Sequence, residues 1–292
     1  MSPPGRPKGE FRNVQHEGTP VSRRANPPSG FTLMRARQRD RRHLLRGAVA
    51  AAGSAMLTGC DKLSHNDAFV DALKSAQHLS RAAQKLVAPR PAMAQEFDRS
   101  HIAKSFRSNG TLNPADADYQ ALLEGDFADY KLAVGGLVQK PAEYTLAQLR
   151  AMPARTQVTR HDCVEGWSCI GQWKGVPLAL LLNAAQPLPS ARFVVFRCFD
   201  SMDTPGPHDS RYYESIDFDD AYHAQTILAY ELNDQALPVS NGAPLRCRVE
   251  RQLGYKQAKY VRAIELVDSF GNIRGGKGGF WEDEGYEWYG GI

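Results

Sequence analysis

The chain has 292 residues, of which 36 are Lys or Arg and 32 are Asp or Glu. Its hydrophobic fraction of 42% and charged fraction of 23% exclude a collagenous chain, a coiled coil and a fully disordered protein. Residues 1–59 hold 11 of the basic residues and only 3 of the acidic ones, so the net charge of +4 belongs to this segment. The remaining chain lacks a basic surplus, and we expect no nucleic-acid partner.

The N-terminal segment carries the features of an export signal. Residues 1–33 are Pro-rich without helical or strand periodicity, so they are predicted to be disordered or untranslated. Residues 34–59 resemble a twin-arginine lipoprotein signal peptide, in which Arg41 and Arg42 precede an Ala-rich run too short to span a bilayer. A Leu-Thr-Gly-Cys sequence ends this run, which makes Cys60 the predicted lipidation site.

These signals predict where the protein works. We expect export by the twin-arginine route, a location on the periplasmic side of the membrane, and attachment to the membrane by a lipid anchor only. Because that route carries folded proteins, it also indicates a bulky cofactor that is inserted before export. The alternative is a chance Arg pair ahead of an Ala-rich soluble helix.

The rest of the chain has the pattern of an α+β protein with mixed sheets and short helices. Residues 60–98 are predicted to be a spacer with an amphipathic helix at 66–87, and residues 99–292 to be the main domain. Segment 271–292 is Gly-rich with five aromatic residues, which predicts that it packs onto the domain. Segment 219–230 mixes helix and strand signals. The other predicted elements are helices at 145–152 and 176–184 and strands at 131–138, 155–163, 191–199, 244–249 and 260–267.

Cysteine usage separates one residue from the others. With Cys60 assigned to lipid, four cysteines allow two disulfides in principle, yet a chain of this length can bury a core without them. Cys198 and Cys247 lie in apolar strand patterns, which are typical of buried free thiols. Cys163 instead ends a predicted strand, in His161-Asp-Cys-Val-Glu-Gly-Trp, where its sulfur can face a cleft.

Three roles are open for Cys163 on this pattern. A zinc ligand needs further partners, and the spacing to Cys169 matches no common zinc motif. A nucleophile needs a base, and His161 shares the strand face but cannot easily turn back toward its neighbour. A ligand to a soft transition metal needs only one protein thiolate when a cofactor brings the other donors.

Basic residues are concentrated near the end of the chain. Guanidinium and ammonium groups on adjoining backbone favour an anion site suited to a phosphate. The alternative is a solvated basic edge strand that prevents aggregation. Five of them lie within 14 residues: Arg246, Arg248, Arg251, Lys256 and Lys259.

Several motifs follow one another along the second half of the chain: Cys163-Val-Glu-Gly-Trp, Gly175-Val-Pro-Leu, Asn241-Gly-Ala-Pro-Leu-Arg246, Gly254-Tyr-Lys256 and Lys259. In this order they resemble the molybdopterin domain of the sulfite oxidase family. The resemblance is greatest to its branch of periplasmic methionine sulfoxide reductase catalytic subunits and spans about residues 99–292. It implies a sulfite oxidase-type molybdopterin-binding fold, one molybdenum–molybdopterin per chain, and two-electron oxygen-atom transfer. Reduction of an S- or N-oxide is favoured over oxidation of the sulfite dehydrogenase type.

The resemblance also implies roles for individual residues. Cys163 corresponds to the thiolate that ligates molybdenum, Glu165 to the nearby acid, and Tyr212 to the substrate-side tyrosine of sulfite oxidases. Cys198 falls where the reductase branch has a cofactor-contacting Thr. The implied cofactor-binding positions are Arg107, Ser108, Asn109, Cys163, Cys198, Asn241, Arg246, Gln257, Ala258 and Lys259.

The predicted partners follow from what the sequence carries. It has neither a haem-attachment motif nor ferredoxin cysteine spacing, so we expect electron exchange with an external protein, for which a membrane haem subunit is one candidate. The substrate is expected to be a small molecule. Arg160, His208 and Arg211 are expected near the mouth of the site, which keeps sulfite open as a substrate. We expect a monomer, because the dimerising domain of sulfite oxidases has no counterpart here. The alternative outside the enzymes is a cofactor-free lipoprotein that binds ligands.

Overall fold

The computed structural model describes Leu79, residues 92–202 and residues 210–292, all of which belong to one compact unit, Ser75–Ile292. The export signal, Cys60, His208 and the predicted helix at 66–87, apart from Leu79, lie outside the described residues. In the part that is described, no helix has the length and apolar character needed to cross a membrane.

The described chain forms two five-stranded sheets. The first has the order β2-β1-β10-β5-β6, in which β1 and β10 pair in parallel and the other neighbours are antiparallel. Its strands are β1 Lys131–Gly136, β2 Ala142–Thr145, β5 Phe193–Ser201, β6 Arg211–Asp217 and β10 Val261–Val267. The second is antiparallel, with the order β3-β4-β7-β8 and β9 paired to β7. Its strands are β3 Arg155–Asp162, β4 Ser168–Pro177, β7 Ile227–Leu232, β8 Gln235–Ala236 and β9 Arg246–Arg248.

Short helices connect the strands, and their ends follow local sequence signals. Thr145 and Gln148 form a reciprocal capping box at the start of α2, and Pro177 immediately precedes α3. The predicted helices at 145–152 and 176–184 are therefore confirmed, and segment 219–230 contains the end of α4 and most of β7. The helices are α1 Ala117–Glu124, α2 Leu146–Ala151, α3 Leu178–Ala185, α4 Phe218–Ala221 and α5 Phe280–Asp283.

The predicted strands are confirmed, but the sequence patterns missed α1, β2, β4, β6 and β8. The long strand β4 contains two glycines, which weaken the strand signal. A Cβ atom at Gly175 would lie 2.1 Å from the Leu228 carbonyl oxygen, so glycine lets β4 and β7 approach closely. The mixed α+β architecture predicted from the sequence is the observed one.

One apolar cluster joins both sheets and the C-terminal segment. It includes Val195 of β5, Leu228 of β7 and Leu182 of α3, all of which are fully buried. The Gly-rich end of the chain packs onto this body, as predicted: Phe280 is fully buried, and the Trp288 ring lies edge-on to another ring of the domain.

The packed chain also extends N-terminal to the predicted boundary at Arg99. The backbone of Ala94 exchanges hydrogen bonds of 2.7 and 3.0 Å with the side chain of Gln225. The Phe97 amide donates to the Val158 carbonyl at 2.9 Å. Residues that were predicted to belong to a spacer therefore form part of the domain.

Candidate active site

A cavity of about 160 Å³, here called the cleft, is lined by six of the twelve predicted catalytic and cofactor-binding residues. Its wall is formed by the turn after β3, by residues at the end of β5, and by residues of β6 and β9. The segment before β10 and the region of α5 complete the wall. Its lining residues are Asn109, Gly110, Thr111, Val164, Glu165, Asp200, Met202, Tyr212, Arg246, Gly254, Tyr255, Gln257, Lys259, Trp281 and Tyr286.

A tight turn at the end of β3 places Cys163 beside the cleft. Its amide donates to the Trp167 carbonyl at 2.9 Å, and its carbonyl accepts from Gly166, whose φ of +84° favours glycine. The thiol is buried and lies 3.6 Å from the Asn109 amide nitrogen, with Val164 next to it on the cleft wall. Burial raises the pKa of the Cys163 thiol, and nearby arginine charges oppose this effect.

The structure removes two of the roles that were open for Cys163. All four cysteines in the described residues are free thiols, and no group of three potential ligands among those residues is arranged to hold a metal ion without a cofactor. His161 Nδ1 lies 3.0 Å from Arg248 Nη1 and 3.2 Å from Gln257 Oε1, and no described hydrogen bond joins the ring to the Cys163 thiol. Burial lowers the pKa of His161 well below its usual range.

The five basic residues near the end of the chain do not form one anion site. Arg248 is fully buried and bonded to both Glu250 carboxylate oxygens, at 2.9 and 2.6 Å. Lys256 is fully buried between the carboxylates of Glu214 and Glu282. These two cations are therefore neutralised inside the protein. The alternative of a solvated edge strand is wrong for β9, because it is buried and paired to β7.

Arg246 and Lys259 are the two cations that line the cleft among the described residues. Arg246 is 2% exposed, its Nη1 donates to the Asn241 carbonyl at 3.1 Å, and no described carboxylate pairs with it. Burial and the Arg248 charge lower the pKa of Arg246 to about 9. The cost of burying such a cation falls when an anion pairs with it.

Lys259 lines the cleft and links neighbouring backbone segments by hydrogen bonds. Its ammonium group donates to the carbonyl oxygens of Asn109, Thr111 and Ser240, which uses all three of its protons. Burial and the Arg246 charge lower the pKa of Lys259 to about 7, whereas the Asp200 charge opposes the shift. An anion bound between Arg246 and Lys259 would stabilise both charges.

Asp200 is a cleft residue that sequence reasoning missed. It is buried, and its Oδ1 has no hydrogen-bond partner among the described residues. Burial raises its pKa to about 7, although the Lys259 charge opposes the shift. The available signal was an acidic residue at the end of an apolar strand, Phe193–Ser201. The cleft thus contains a carboxyl group that exchanges its proton near neutral pH.

Asp200→Asn is expected to change how stability depends on pH. The pKa is 3.8 for an unperturbed Asp and about 7 here, so ionisation of the folded protein costs free energy that grows between about pH 4 and pH 7. The neutral amide removes that cost. We expect the variant to gain stability relative to wild type by up to about 4 kcal/mol between pH 4 and pH 8, measured by urea unfolding. The exposed control Asp129→Asn should show no such trend, and a gain independent of pH would contradict the assignment.

The other predicted residues lie in or around the cleft. The Arg107 guanidinium lies 4.9 Å from the centre of the Trp167 ring, and Ser108 leads into Asn109 of the cleft wall. Glu165 is exposed and accepts a 2.9 Å hydrogen bond from Trp167 Nε1. Their contacts with a cofactor remain predictions.

Two predicted residues are held by backbone contacts, and one lies elsewhere. Tyr212 lines the cleft, but its hydroxyl donates to the Tyr255 carbonyl. Ala258 is buried, and its carbonyl accepts from Cys247 at 2.8 Å. Cys198 does not line the cleft but lines a second cavity, which Tyr212 shares. On strand β5 it is Asp200, two residues further on, that lines the cleft.

Among the described residues, the rim of the cleft is mainly apolar, carries the Glu165 carboxylate and has no exposed cation. Val164 and Tyr286 are 45% and 40% exposed, and the Trp281 and Tyr286 rings stack at 5.3 Å. Met202 also lines this cavity. Arg160 and Arg211, which were expected at the mouth of the site, do not line the cleft.

The two arginines expected at the mouth form ion pairs with carboxylates elsewhere in the protein. Arg160 pairs with Asp162 at 2.8 Å and lines a different cavity. Arg211 pairs with Asp116 at 2.8 Å and lines the second cavity. The expectation of a cationic mouth from these two residues is therefore wrong.

A buried thiol beside a cleft that also contains two buried cations defines a class of site: it suits a soft metal carried on an anionic organic cofactor. Residues 120–271 match the family model described as oxidoreductase molybdopterin binding domain. The chain therefore belongs to this family of molybdopterin-binding oxidoreductases, the sulfite oxidase family.

Two relatives of known sequence agree with this assignment, and one solved structure shows a partial likeness. A candidate protein-methionine-sulfoxide reductase subunit, YedZ1, from Azospira oryzae is 34% identical over 251 residues, which are 86% of this chain and 87% of that protein. The protein-methionine-sulfoxide reductase catalytic subunit MsrP from Ralstonia nicotianae is 33% identical over 253 residues, covering 83% and 72%. The solved sulfane dehydrogenase SoxCD from Paracoccus pantotrophus aligns with a TM-score of 0.42 at 23% identity, covering 48% of this chain and 39% of that one.

The chain is thus a molybdenum-dependent oxidoreductase that performs oxygen-atom transfer, and its cofactor is molybdenum–molybdopterin, as predicted. The cofactor-free alternative is set aside. The cleft residues fit this group. Arg246 Nε and Asn241 Nδ2 are buried donors without partners among the described residues, which suits the phosphate, and Cys163 offers a soft ligand for the metal.

Proposed function

We propose that this protein reduces a neutral sulfoxide, with methionine sulfoxide as the substrate class. The observation that carries the proposal is the apolar rim of the cleft, formed by Val164, Met202, Trp281 and Tyr286. Sulfite is an anion and needs cationic groups to bind it, whereas a methyl sulfoxide offers apolar carbon and one polar oxygen. The Azospira and Ralstonia relatives are both named for reduction of protein methionine sulfoxide, which supports the same substrate.

The rim suits a thioether side chain. Thioether and methyl groups make favourable contacts with aromatic rings, and Trp281 and Tyr286 present two stacked rings at the mouth. Because Val164 and Tyr286 are substantially exposed, an oxidised methionine on the surface of another protein can reach them. Arg246 and Lys259 are assigned to the cofactor phosphate and so are not assigned to substrate.

Sulfoxide reduction consumes two electrons and two protons and releases a thioether and water. The bound cofactor supplies the two-electron oxygen-atom transfer. The residues of this chain position the substrate, exclude water and deliver protons. Asp200 holds a proton at its carboxyl group near neutral pH, inside the cleft. Glu165, which is exposed at the rim, is suited to exchange protons between the cleft and solvent.

The cellular setting is also a proposal. The twin-arginine motif at Arg41 and Arg42 and the lipobox at Cys60 support export to the periplasm and a lipid anchor. The sequence carries no haem-attachment motif, which supports an external electron donor such as a membrane haem subunit. We propose that the protein acts as a monomer beside that donor.

The direction of the reaction is tested with purified, molybdenum-loaded protein and artificial electron carriers. We expect oxidation of reduced viologen with methionine sulfoxide, free or in an oxidised protein, and much slower reduction of ferricyanide with sulfite. Trp281→Ala should raise KM for methionine sulfoxide about fivefold, in line with lost aromatic contacts worth about 1 kcal/mol. Tyr222→Ala, at an exposed aromatic outside the cleft lining, is the matched control. Faster sulfite oxidation would overturn the proposal.

A further inference from the structure

A second cavity, of about 290 Å³, is lined by four arginines, Arg197, Arg211, Arg262 and Arg274, together with Cys198 and two tyrosines. We call it the arginine cavity. No acidic side chain lines it within the described residues. The cofactor assignment uses none of these arginines. Among the residues that the structure describes, Tyr212 is the one that lines both this cavity and the cleft.

Two irregularities in the first sheet assemble this cavity. The pairing of β10 with β5 shifts register between Val261 and Ala263, so that Arg262 is the extra residue of a bulge. The pairing of β5 with β6 shifts register between Arg197 and Ser201. Bulges redirect side chains and often occur beside functional sites. Here they bring guanidinium groups from three adjacent strands to one cavity.

Carboxylates face three of the four arginines of the cavity: Arg211 pairs with Asp116 at 2.8 Å, and Arg274 lies 4.0 Å from Glu284. Arg197 donates two hydrogen bonds to one oxygen of Glu265, at 3.0 and 2.7 Å. Arg262 is different, because no described carboxylate pairs with it and its buried Nε has no hydrogen-bond partner among the described residues. A buried donor left without an acceptor costs about 1–3 kcal/mol.

We propose that the arginine cavity binds an oxyanion of the phosphate or sulfate type, at a site separate from the cofactor cleft. Guanidinium forks match the oxygens of such groups and form charge-assisted hydrogen bonds with them. The side chains of Arg197 and Arg211 are 31% and 36% exposed, so the cavity is open to anions from solution. Arg262 Nε gains an acceptor when the anion binds.

The site is tested by binding and not by activity, so the result is independent of the proposed substrate. Cofactor-loaded protein is titrated with phosphate or sulfate at constant ionic strength, with chloride as the balancing salt. We expect a saturable rise in melting temperature with both oxyanions and broadening of the phosphorus NMR signal of phosphate. Because the cofactor occupies the cleft, the added anion reports on the second cavity.

Matched arginine variants decide whether the effect belongs to this cavity. Arg262→Gln should weaken phosphate binding at least tenfold, and Arg262→Lys should restore part of it. Arg192→Gln changes an exposed arginine outside the cavity lining and should bind as wild type does. The absence of a saturable effect, or an unchanged effect in Arg262→Gln, would overturn the proposal. If Arg262→Gln does not fold, the comparison of Arg262→Lys with Arg192→Gln decides it.

Two further binding experiments distinguish between a lipid headgroup and a free anion as the source of the phosphate group. Glycerol 3-phosphate and vesicles of phosphatidylglycerol or phosphatidylcholine replace the inorganic anion in the same comparison of variants. If the wild-type protein binds phosphatidylglycerol vesicles and Arg262→Gln does not, the ligand is identified as a lipid headgroup. Binding of the soluble anions without vesicle binding would identify a free phosphate or sulfate group. Either result supports the site.

Discussion

Cys163→Ser is expected to reduce oxidoreductase turnover at least about a hundredfold while the protein stays folded. Changes to residues that only support a metal ligand cost about 10–100-fold, and replacing the ligand itself should cost at least as much. The fold should survive, because the described contacts of the thiol are with the Asn109 side chain at 3.6 Å and with the Glu165 backbone amide, while backbone hydrogen bonds hold its turn. Turnover and molybdenum content are measured on the same preparation, with circular dichroism as the test of folding.

Cys169→Ser is the matched control for this prediction. Cys169 is also a buried free thiol, six residues further on, but its sulfur contacts the Ser105 carbonyl at 3.8 Å, whereas the Cys163 sulfur contacts Asn109 of the cleft wall. Its replacement should leave turnover near the wild-type value. Wild-type turnover in Cys163→Ser would show that this sulfur is not the ligand and would remove the basis for the site as described.

Arg246→Met is expected to have opposite effects on the cofactor-loaded and cofactor-free proteins. Loss of charge-assisted hydrogen bonds to a phosphate, worth about 1.5–3 kcal/mol, should weaken cofactor retention by about tenfold to a hundredfold. In the cofactor-free protein the same change removes a buried cation that has no described carboxylate partner, so stability should stay the same or rise. Retention is measured as molybdopterin fluorescence after gel filtration, and stability by urea unfolding.

Two comparisons make the Arg246 result specific. Arg246→Lys keeps a positive charge and should recover part of the retention, although a lysine lacks the planar fork. Arg160→Met alters an arginine that is 54% exposed and lies outside the cleft, so it should retain the cofactor normally. Full retention by Arg246→Met would place the phosphate elsewhere, and a large loss of cofactor-free stability would assign Arg246 a structural role.

Local patterns were enough to predict the turn that carries Cys163. The apolar strand before it and the glycine after it are both encoded within a few residues, and the observed turn has Gly166 with a positive φ. Local signals also gave α2, because Thr145 and Gln148 form a capping box within one turn. Strand β4 was missed because its glycines serve close contacts with other strands, such as that between Gly175 and Leu228.

The sequence by itself determined the mixed α+β class, the position of the thiol and the density of basic residues near the end of the chain. Only the tertiary structure decided which basic groups face a ligand, because their acidic partners lie on other segments. Glu214 and Glu282 come from β6 and α5 to neutralise Lys256, while Arg246 meets no described carboxylate. Charge compensation depends on distance in space rather than along the chain. For the same reason, the raised pKa of Asp200 became evident only once its burial in the cleft was known.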